Sequence, residues 1–324
     1  MASLLDVRGL TKHFPVSRTL REVARGERPV VRAVEDVTFA MDQGESVGIL
    51  GESGCGKTTT GRLLLKLVEA SEGTITLDGY DVRALKGPDL KRFRRHAQLV
   101  FQNPFDALNP RFTLRRSIAE PLLNAGVPKG EWDDRIAAVL KRVHLAGVSD
   151  LMEKFPHQLS GGQLQRVVLA RALILEPTFI VADEPVSMLD VSVRAGILNV
   201  MREVRETMGL TAIYISHDLA LVRYVAPRTI VMYLGKIVED GPTDAVISRP
   251  LHPYARALVA AVPVPRVDQD RGALPITGMI PDARNPPSGC RFRDRCPYAE
   301  ARCAEEVPAL RELAPGHRAA CHLL

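Results

Sequence analysis

Gly51-Glu52-Ser53-Gly54-Cys55-Gly56-Lys57-Thr58 satisfies the pattern G-x-x-x-x-G-K-[ST] at every defined position. Glycines at these spacings let the backbone wrap an anion so that successive N–H groups point inward. Lys57 adds a compact positive charge for the outer phosphates of a nucleotide, and Thr59 continues the same cradle. The Thr58 hydroxyl suits Mg²⁺, a hard cation that takes oxygen ligands. Cys55 occupies a place that needs only a small residue; packing is its expected role, with an oxidation-sensitive thiol as the alternative. A second anion seat is expected at Leu159-Ser160-Gly161-Gly162-Gln163. A serine and two glycines opening a helix leave free N–H groups at its positive end. The third element is Asp183-Glu184, which closes the apolar run 180–182. Asp183 suits Mg²⁺, and Glu184, one residue further, can face an attacking water as general base. Phosphoryl transfer to water asks for this set: positioning, charge neutralisation and an oriented water, with little covalent help.

The surrounding elements can carry these groups. Residues 46–50 form a compact apolar strand that runs directly into the glycine-rich loop, and 59–68 read as a buried helix, with Leu63, Leu64, Leu67 and Val68 on one side. Upstream, 4–7 and 34–41 read as strands, separated by a polar, arginine-rich insertion at 16–29. Residues 74–77 make a short strand ending at the Asp78-Gly79 hairpin signal. Strand texture then vanishes between about 104 and 158, where 114–123 and 132–143 carry helical period, so an inserted helical subdomain is expected. From 162 the alternation returns: helix to 175, strand 178–182, helix 193–208, strand 211–215, strand 229–234. This pattern predicts a mainly parallel sheet covered on both faces. Residues 1–250 form the main domain on this reading, 251–287 a helix (252–262) and a proline-rich linker, and 288–324 a cysteine-bearing tail.

Bulk composition narrows the class. The chain has 324 residues, 46% hydrophobic and 25% charged, which is ordinary globular composition. A net charge of +5 is compatible with a nucleotide or an anionic membrane surface and too weak to argue for nucleic acid. The first ten residues contain Asp6 and Arg8 and lack the apolar stretch of a signal peptide. No apolar run approaches the roughly 18 residues of a membrane-spanning helix, so a cytosolic protein that docks on something membrane-spanning is expected.

In order and spacing, Lys57/Thr58, Leu159 to Gln163 and Asp183/Glu184 resemble the nucleotide-binding subunit of an ABC transporter. Further matches extend the resemblance over about residues 1–250. Gln102, in Val100-Phe101-Gln102-Asn103-Pro104, is similar to the Q-loop glutamine that senses the γ-phosphate and Mg²⁺. Ser187-Met188-Leu189-Asp190 is similar to the D-loop, usually Ser-Ala-Leu-Asp, with Met188 a departure. His217, in Ile215-Ser216-His217-Asp218, is similar to the switch histidine, and Phe14 to the aromatic that stacks on adenine, with His13 its neighbouring rival. The resemblance implies a P-loop NTPase fold of the RecA-like type with an antiparallel β subdomain and a helical subdomain. It also implies Glu184, His217 and Gln102 as catalytic groups, and Thr58, Gln102 and Asp183 around Mg²⁺. It further implies a dimer in which Ser160, Gly161, Gly162, Gln163 and Asp190 of one subunit close over the ATP held by the other.

Three features point to a branch. Phe105-Asp106-Ala107-Leu108-Asn109-Pro110 and His252-Pro253-Tyr254-Ala255-Arg256-Ala257-Leu258 resemble segments of oligopeptide and dipeptide importers. The third is the tail, where Cys290, Cys296, Cys303 and Cys321 are spaced C-x₅-C-x₆-C-x₁₇-C. Four thiolates would hold zinc or an iron–sulfur cluster; zinc knuckles use gaps of about two to four residues, and the longer gaps here suit a cluster better. Unliganded thiols or disulfides are the other possibilities. The resemblance implies a 4Fe-4S cluster for such a tail. It further implies a bacterial importer ATPase on the cytoplasmic face of the inner membrane. Its partners would be a related second ATP-binding subunit, two permeases and, indirectly, an extracytoplasmic solute-binding protein. Peptide is the expected cargo; nickel, glutathione or oligosaccharide systems are alternatives. A soluble non-transport ABC ATPase and a redox-sensing regulator are the rival classes.

Overall fold

The structure is a computed structural model that describes residues 3–17, 29–145, 149–262, 276–279 and 281–324. Most of the insertion expected at 16–29 and of the linker expected at 263–287 lies outside the described residues. In chain order the strands are β1 (Leu5–Pro15), β2 (Val30–Met41), β3 (Ser46–Leu50), β4 (Glu72–Leu77), β5 (Tyr80–Asp81), β6 (Ala97–Val100), β7 (Phe179–Asp183), β8 (Thr211–Ser216), β9 (Arg228–Tyr233), β10 (Lys236–Pro242), β11 (Arg311–Ala314) and β12 (His317–Ala319). The helices are α1 (Lys57–Leu64), α2 (Gly87–His96), α3 (Pro104–Ala107), α4 (Leu114–Ala125), α5 (Trp132–Arg142), α6 (Gly161–Leu173), α7 (Val191–Met208), α8 (Leu219–Val225), α9 (Thr243–Ser248), α10 (Pro253–Ala260) and α11 (Arg302–Glu305). They gather into two compact units. The first comprises Met1–Leu4, Met41–Ser46 and Asp78–Ile215; the second comprises Leu5–Ala40, Val47–Leu77 and Ser216–Leu324.

In the first unit β6, β7 and β8 are parallel neighbours, with Phe179 opposite both Ala97 and Thr211. Every residue of β7 and β8 is buried, the mark of strands covered on both faces. Between β6 and β7 the described residues form helices and 3₁₀ turns, and Leu114, Ile118, Leu122, Ile136, Val139 and Leu164 supply their core. In the second unit β2, β1 and β4 are neighbours in one sheet, and β1 and β4 run antiparallel from Leu5 opposite Leu77 to Thr11 opposite Glu72. A second sheet has the order β3-β9-β10-β12-β11, with β3 and β9 parallel and the later pairs antiparallel. α8 lies against β3 so closely that a Cβ on Gly48 would sit 2.2 Å from Val222 Cγ1.

Two expectations need correction. The helix read over 59–68 ends at Leu64; Lys66 takes a φ of 51° and Leu67 is 47% exposed. The separate small tail domain expected over 288–324 is also absent among the described residues. β12 adds to the edge of β10, and Phe292 enters a core with Tyr233 and Tyr254, with ring centroids 5.2 and 5.5 Å away. The tail has no need of its own core because it shares this one.

A buried carboxylate anchors that arrangement. Glu239 on β10 is fully buried and accepts the N–H groups of Leu251 (3.1 Å) and His252 (2.7 Å), with His317 Nε2 on β12 at 2.7 Å. A buried charge persists only where it is paired and hydrogen-bonded. His252 then caps α10, its Nδ1 accepting the Tyr254 N–H at 3.0 Å, and Pro253 occupies the first helical turn, where no N–H is missed.

Burial holds the His252 imidazole neutral, with its pKa down at about 3. In an unfolded chain a histidine titrates at about 6.5. Below that pH the unfolded state binds a proton that the folded state refuses, so this group removes stability as pH falls from about 6.5 towards 3. His252→Asn, which can keep the cap, should flatten the pH dependence of the melting temperature between about pH 7 and 5. Parallel profiles for parent and variant would rule out His252 as a source of the acid sensitivity.

Candidate nucleotide-binding and hydrolysis site

The phosphate loop leaves β3 and turns into α1 within the second unit. Gly56, at the N-cap, has a φ of 103°, and a Cβ there would lie 2.3 Å from Ala33 O. Gly51 is equally confined, its hypothetical Cβ 2.3 Å from Met232 O and 2.6 Å from Cys55 Sγ. Only glycine fits either place. Ser53 and Gly54 are exposed at the tip, and Thr58 and Thr59 are half-buried at the start of α1. Lys57 is buried, and its Nζ donates to Gly51 O at 2.7 Å and Glu52 O at 2.9 Å. Cys55 is buried beside it, and burial pushes its thiol up although Lys57 pulls the other way. An enclosed thiol raised in this way suits packing. Phe14, near the end of β1, is 36% exposed, with Lys12 Nζ 4.8 Å from its ring centroid. Its rival His13 has its Nε2 buried 3.6 Å from Glu35 Oε2, whereas the Phe14 ring is the more exposed of the pair. His217 follows β8, exposed, just before α8; Asp218 caps that helix by accepting the Ala220 N–H at 2.9 Å.

The remaining groups belong to the first unit. Asp183 is buried at the end of β7. Glu184 follows with a φ of 46°, a left-handed conformation that strains a residue bearing a Cβ. Its N–H donates to Ile215 O at 2.9 Å, and Gln102 Nε2 donates to its Oε2 at 2.9 Å. The structure thus joins two residues 82 apart in sequence, and the bond leaves the Gln102 carbonyl oxygen as the end suited to a cation. Thr58, Gln102 and Asp183 supply oxygen donors of the kind Mg²⁺ takes.

Ser160 and Gln163 reveal a function the spacing alone did not. Ser160 Oγ accepts the Gln163 N–H at 3.3 Å, and Gln163 Oε1 accepts the Ser160 N–H at 3.1 Å, a reciprocal capping box at the start of α6. The pattern S-x-x-Q already carried that signal. The free N–H groups of the seat are therefore those of Gly161 and Gly162, at the first two helical positions. Both glycines also let neighbours approach: a Cβ on Gly161 would lie 3.2 Å from Leu189 Cδ2, and one on Gly162 2.6 Å from Val193 Cγ1. Asp190 caps α7 by accepting the Val193 N–H at 3.1 Å, and that bond with Ser192 holds its carboxyl below the usual range. Met188 and Val191 beside it are 65% and 80% exposed.

The four tail cysteines are free thiols. Burial pushes Cys290 up to about 11, and the neighbouring Cys303, Cys321 and Cys296 add to the shift. Cys296 and Cys321 are raised in the same way. Yet among the described residues no group of three or more His, Cys, Asp or Glu is arranged to hold a metal ion. The iron–sulfur centre expected there gains no support from the geometry, and β12 and Phe292 already tie the tail down.

Gly162→Ala should destabilise the fold by about 1–3 kcal/mol through overpacking against Val193, and adding Val193→Ala should restore the melting temperature. If Gly162→Ala alone melts with the parent, the close approach of α6 to Val193 is wrong.

Comparison with known proteins agrees with this arrangement. The ABC transporter family matches residues 34–187, and the oligopeptide/dipeptide transporter C-terminal region matches 238–303. A probable peptide ABC transporter ATP-binding protein of Sinorhizobium fredii is 44% identical over 99% of this chain and 90% of its own length. A putative peptide import ATP-binding protein of Brucella ovis is 46% identical over 98% and 97%, and the oligopeptide transport ATP-binding protein AppF of Bacillus subtilis 42% over 99% and 97%. Among solved structures, the ATP-binding cassette MJ0796, dimeric and bound to ADP and Pi, aligns with a TM-score of 0.64 at 27% identity, over 74% of this chain and 98% of that one. CbiO1 of Clostridium perfringens, part of the CbiONQ transporter complex, aligns with 0.65 at 25% identity, over 77% and 92%. Phosphate loop, capped Ser-Gly-Gly-Gln helix and Gln102–Glu184 pair, with these relatives along nearly the whole length, make the chain a member of the ABC transporter ATPase family.

Proposed function

We propose that this chain is the ATP-hydrolysing subunit of an importer that takes up peptides. The observation that carries the reading is the Gln102–Glu184 hydrogen bond, because it aims a carboxylate by means of the residue that answers to the nucleotide. Phe14 stacks on adenine, the loop N–H groups and Lys57 hold the phosphates, and Glu184 takes a proton from the attacking water. Thr58 in the second unit, and Asp183 and Gln102 in the first, would each offer Mg²⁺ an oxygen ligand, and the cation would neutralise phosphate charge. His217 contacts the γ-phosphate. The first anion seat belongs to the same chain as its lysine; the second, at Ser160 to Gln163, serves a second copy or a related subunit together with Asp190. Exposed Met188 and Val191 beside Asp190 fit such a subunit contact. The peptide cargo rests on the names of relatives that match nearly end to end, and on the C-terminal region they share.

Two permeases are the membrane partners. No helix among the described residues is long and apolar enough to cross a membrane, so the translocation path belongs to other chains. Exposed Phe101, Phe105 and Leu123, on or beside the helices that follow β6, offer apolar contacts for permease segments. Residues 1–250 are read as the nucleotide-binding domain, with 104–158 as its helical part. A 4Fe-4S cluster on Cys290, Cys296, Cys303 and Cys321 is the finer part of the proposal; what supports it is the long cysteine spacing and its resemblance to the tails of oligopeptide and dipeptide importers, and not the arrangement of the thiols. It enters no step of hydrolysis.

Glu184→Gln should retain Mg-ATP binding, lose about a hundredfold or more in turnover and accumulate an ATP-bound dimer on size exclusion. Turnover near the parent's would refute the general-base assignment. Anaerobically purified protein with iron and absorbance at about 400 nm would carry the cluster; colourless, iron-free protein would leave the four thiols as packing groups.

A further inference from the structure

The phosphate loop is gripped by residues far downstream. Glu52 occupies a position of the loop where phosphate binding by itself places no demand on the side chain. Here it is held at four atoms. Its N–H donates to Tyr254 Oη at 2.8 Å, its carboxylate receives Arg295 Nη1 at 2.6 Å and Nη2 at 3.0 Å, and its carbonyl accepts Lys57 Nζ at 2.9 Å. Tyr254 and Arg295 lie 202 and 243 residues away along the chain. Tyr254 is 1% and Arg295 5% exposed. The Tyr254 ring packs 4.7 Å from that of Tyr233 and 5.5 Å from that of Phe292, and the Arg295 guanidinium lies 5.8 Å from the Tyr233 ring centroid.

We infer that Tyr254 and Arg295 are positioning residues of the phosphate loop, acting on nucleotide affinity through Glu52. The inference rests on the reading of the loop as an ATP site. Mere attachment of the tail does not call for this chemistry, since a buried ion pair adds little net stability over apolar packing of the same volume. A bidentate arginine–carboxylate pair instead fixes direction as well as distance. It fixes Glu52, whose backbone receives the phosphate-binding lysine and whose N–H is removed from competition for anions. The triplet His252-Pro253-Tyr254 then has one job per residue: His252 caps α10, Pro253 starts it, and Tyr254 reaches the loop.

The test uses the full-length chain with Mg-ATP. Arg295→Ala should raise KM for ATP about tenfold, and Tyr254→Phe about threefold, with kcat within about twofold of the parent. Arg295→Lys, which keeps the charge and loses the fork, should fall between parent and Arg295→Ala. The swap Glu52→Arg/Arg295→Glu should recover most of the affinity lost in Arg295→Ala. Nucleotide-free melting temperatures are measured alongside, because Tyr254→Phe removes one oxygen and leaves the packing intact. Unchanged KM in both single variants, or KM and kcat worsening in step with a lowered melting temperature, would overturn the positioning role. Lys57→Ala separates this from failure of the site itself. A parent that binds Mg-ATP only with Lys57 present, alongside clamp variants of unchanged KM, refutes the clamp alone. A parent indifferent to Lys57→Ala refutes the ATP site beneath it.

Discussion

The constraint on which the site depends is steric, at the two ends of the phosphate loop. Gly51 is pressed against Met232 O and Gly56 against Ala33 O, each so closely that a single added carbon would sit 2.3 Å from a carbonyl oxygen. The loop must be narrow because its N–H groups have to converge on one anion. Narrowness in turn requires backbone on both sides, and the fold supplies it. β9 lies parallel to β3 and brings Met232 to the loop's beginning, while β2 brings Ala33 to its end. Lys57 follows at the start of α1 with its ammonium turned back over the Gly51 and Glu52 carbonyls. Sheet order, helix start and lysine conformation all descend from the need to close that turn.

The first unit answers a different need, the aiming of a carboxylate. Glu184 accepts a left-handed φ of 46° directly after a strand whose residues are all buried. Strain of this kind persists where neighbours over-determine it, and here Ile215 O holds the N–H while Gln102 holds the side chain. The capped helix α6 shows the same economy. Its first-turn glycines leave N–H groups open for an anion and also admit Leu189 closely and Val193 at a distance a Cβ would forbid. The two roles are separable because one concerns the backbone dipole and the other the missing Cβ.

Much of this was legible in the residues because the chemistry is local. The phosphate loop, the anion seat at Leu159 to Gln163 and the Asp183-Glu184 strand end are each defined within a few positions, and periodicity located α4, α5, α7, β7, β8 and β9 to within a few residues. What resisted reading depends on distant partners. β10 carries Glu239 and Asp240, both essentially buried, so its composition hides a strand; distant partners make those carboxylates tolerable inside, His317 with the Leu251 and His252 N–H groups for Glu239, Arg228 and Arg318 for Asp240. α1 stops at Leu64 where apolar residues continue, because Lys66 turns left-handed and the pattern beyond belongs to a turn. The tail looked independent because cysteines at long spacings suggest a staple; in three dimensions its aromatic and its final strand are spent on the existing core and sheet.

That placement changes what the C-terminal segment is for. A small segment that only had to stay attached could do so through Phe292 and β12, both apolar or backbone contacts of the cheapest kind. Instead Arg291 donates to Leu234 O and pairs with Glu35 at 2.5 Å, while Arg295 pairs with Glu52, so two buried guanidinium groups face the region around the loop. Each such group costs desolvation that hydrophobic packing would not. The return is direction, since a planar fork holds its carboxylate in one orientation. A site that must grip phosphate tightly enough to bind and loosely enough to release gains from a loop whose shape is set from outside itself. The residues that set it lie where the chain departs from a minimal nucleotide-binding cassette and takes on the features of its own branch.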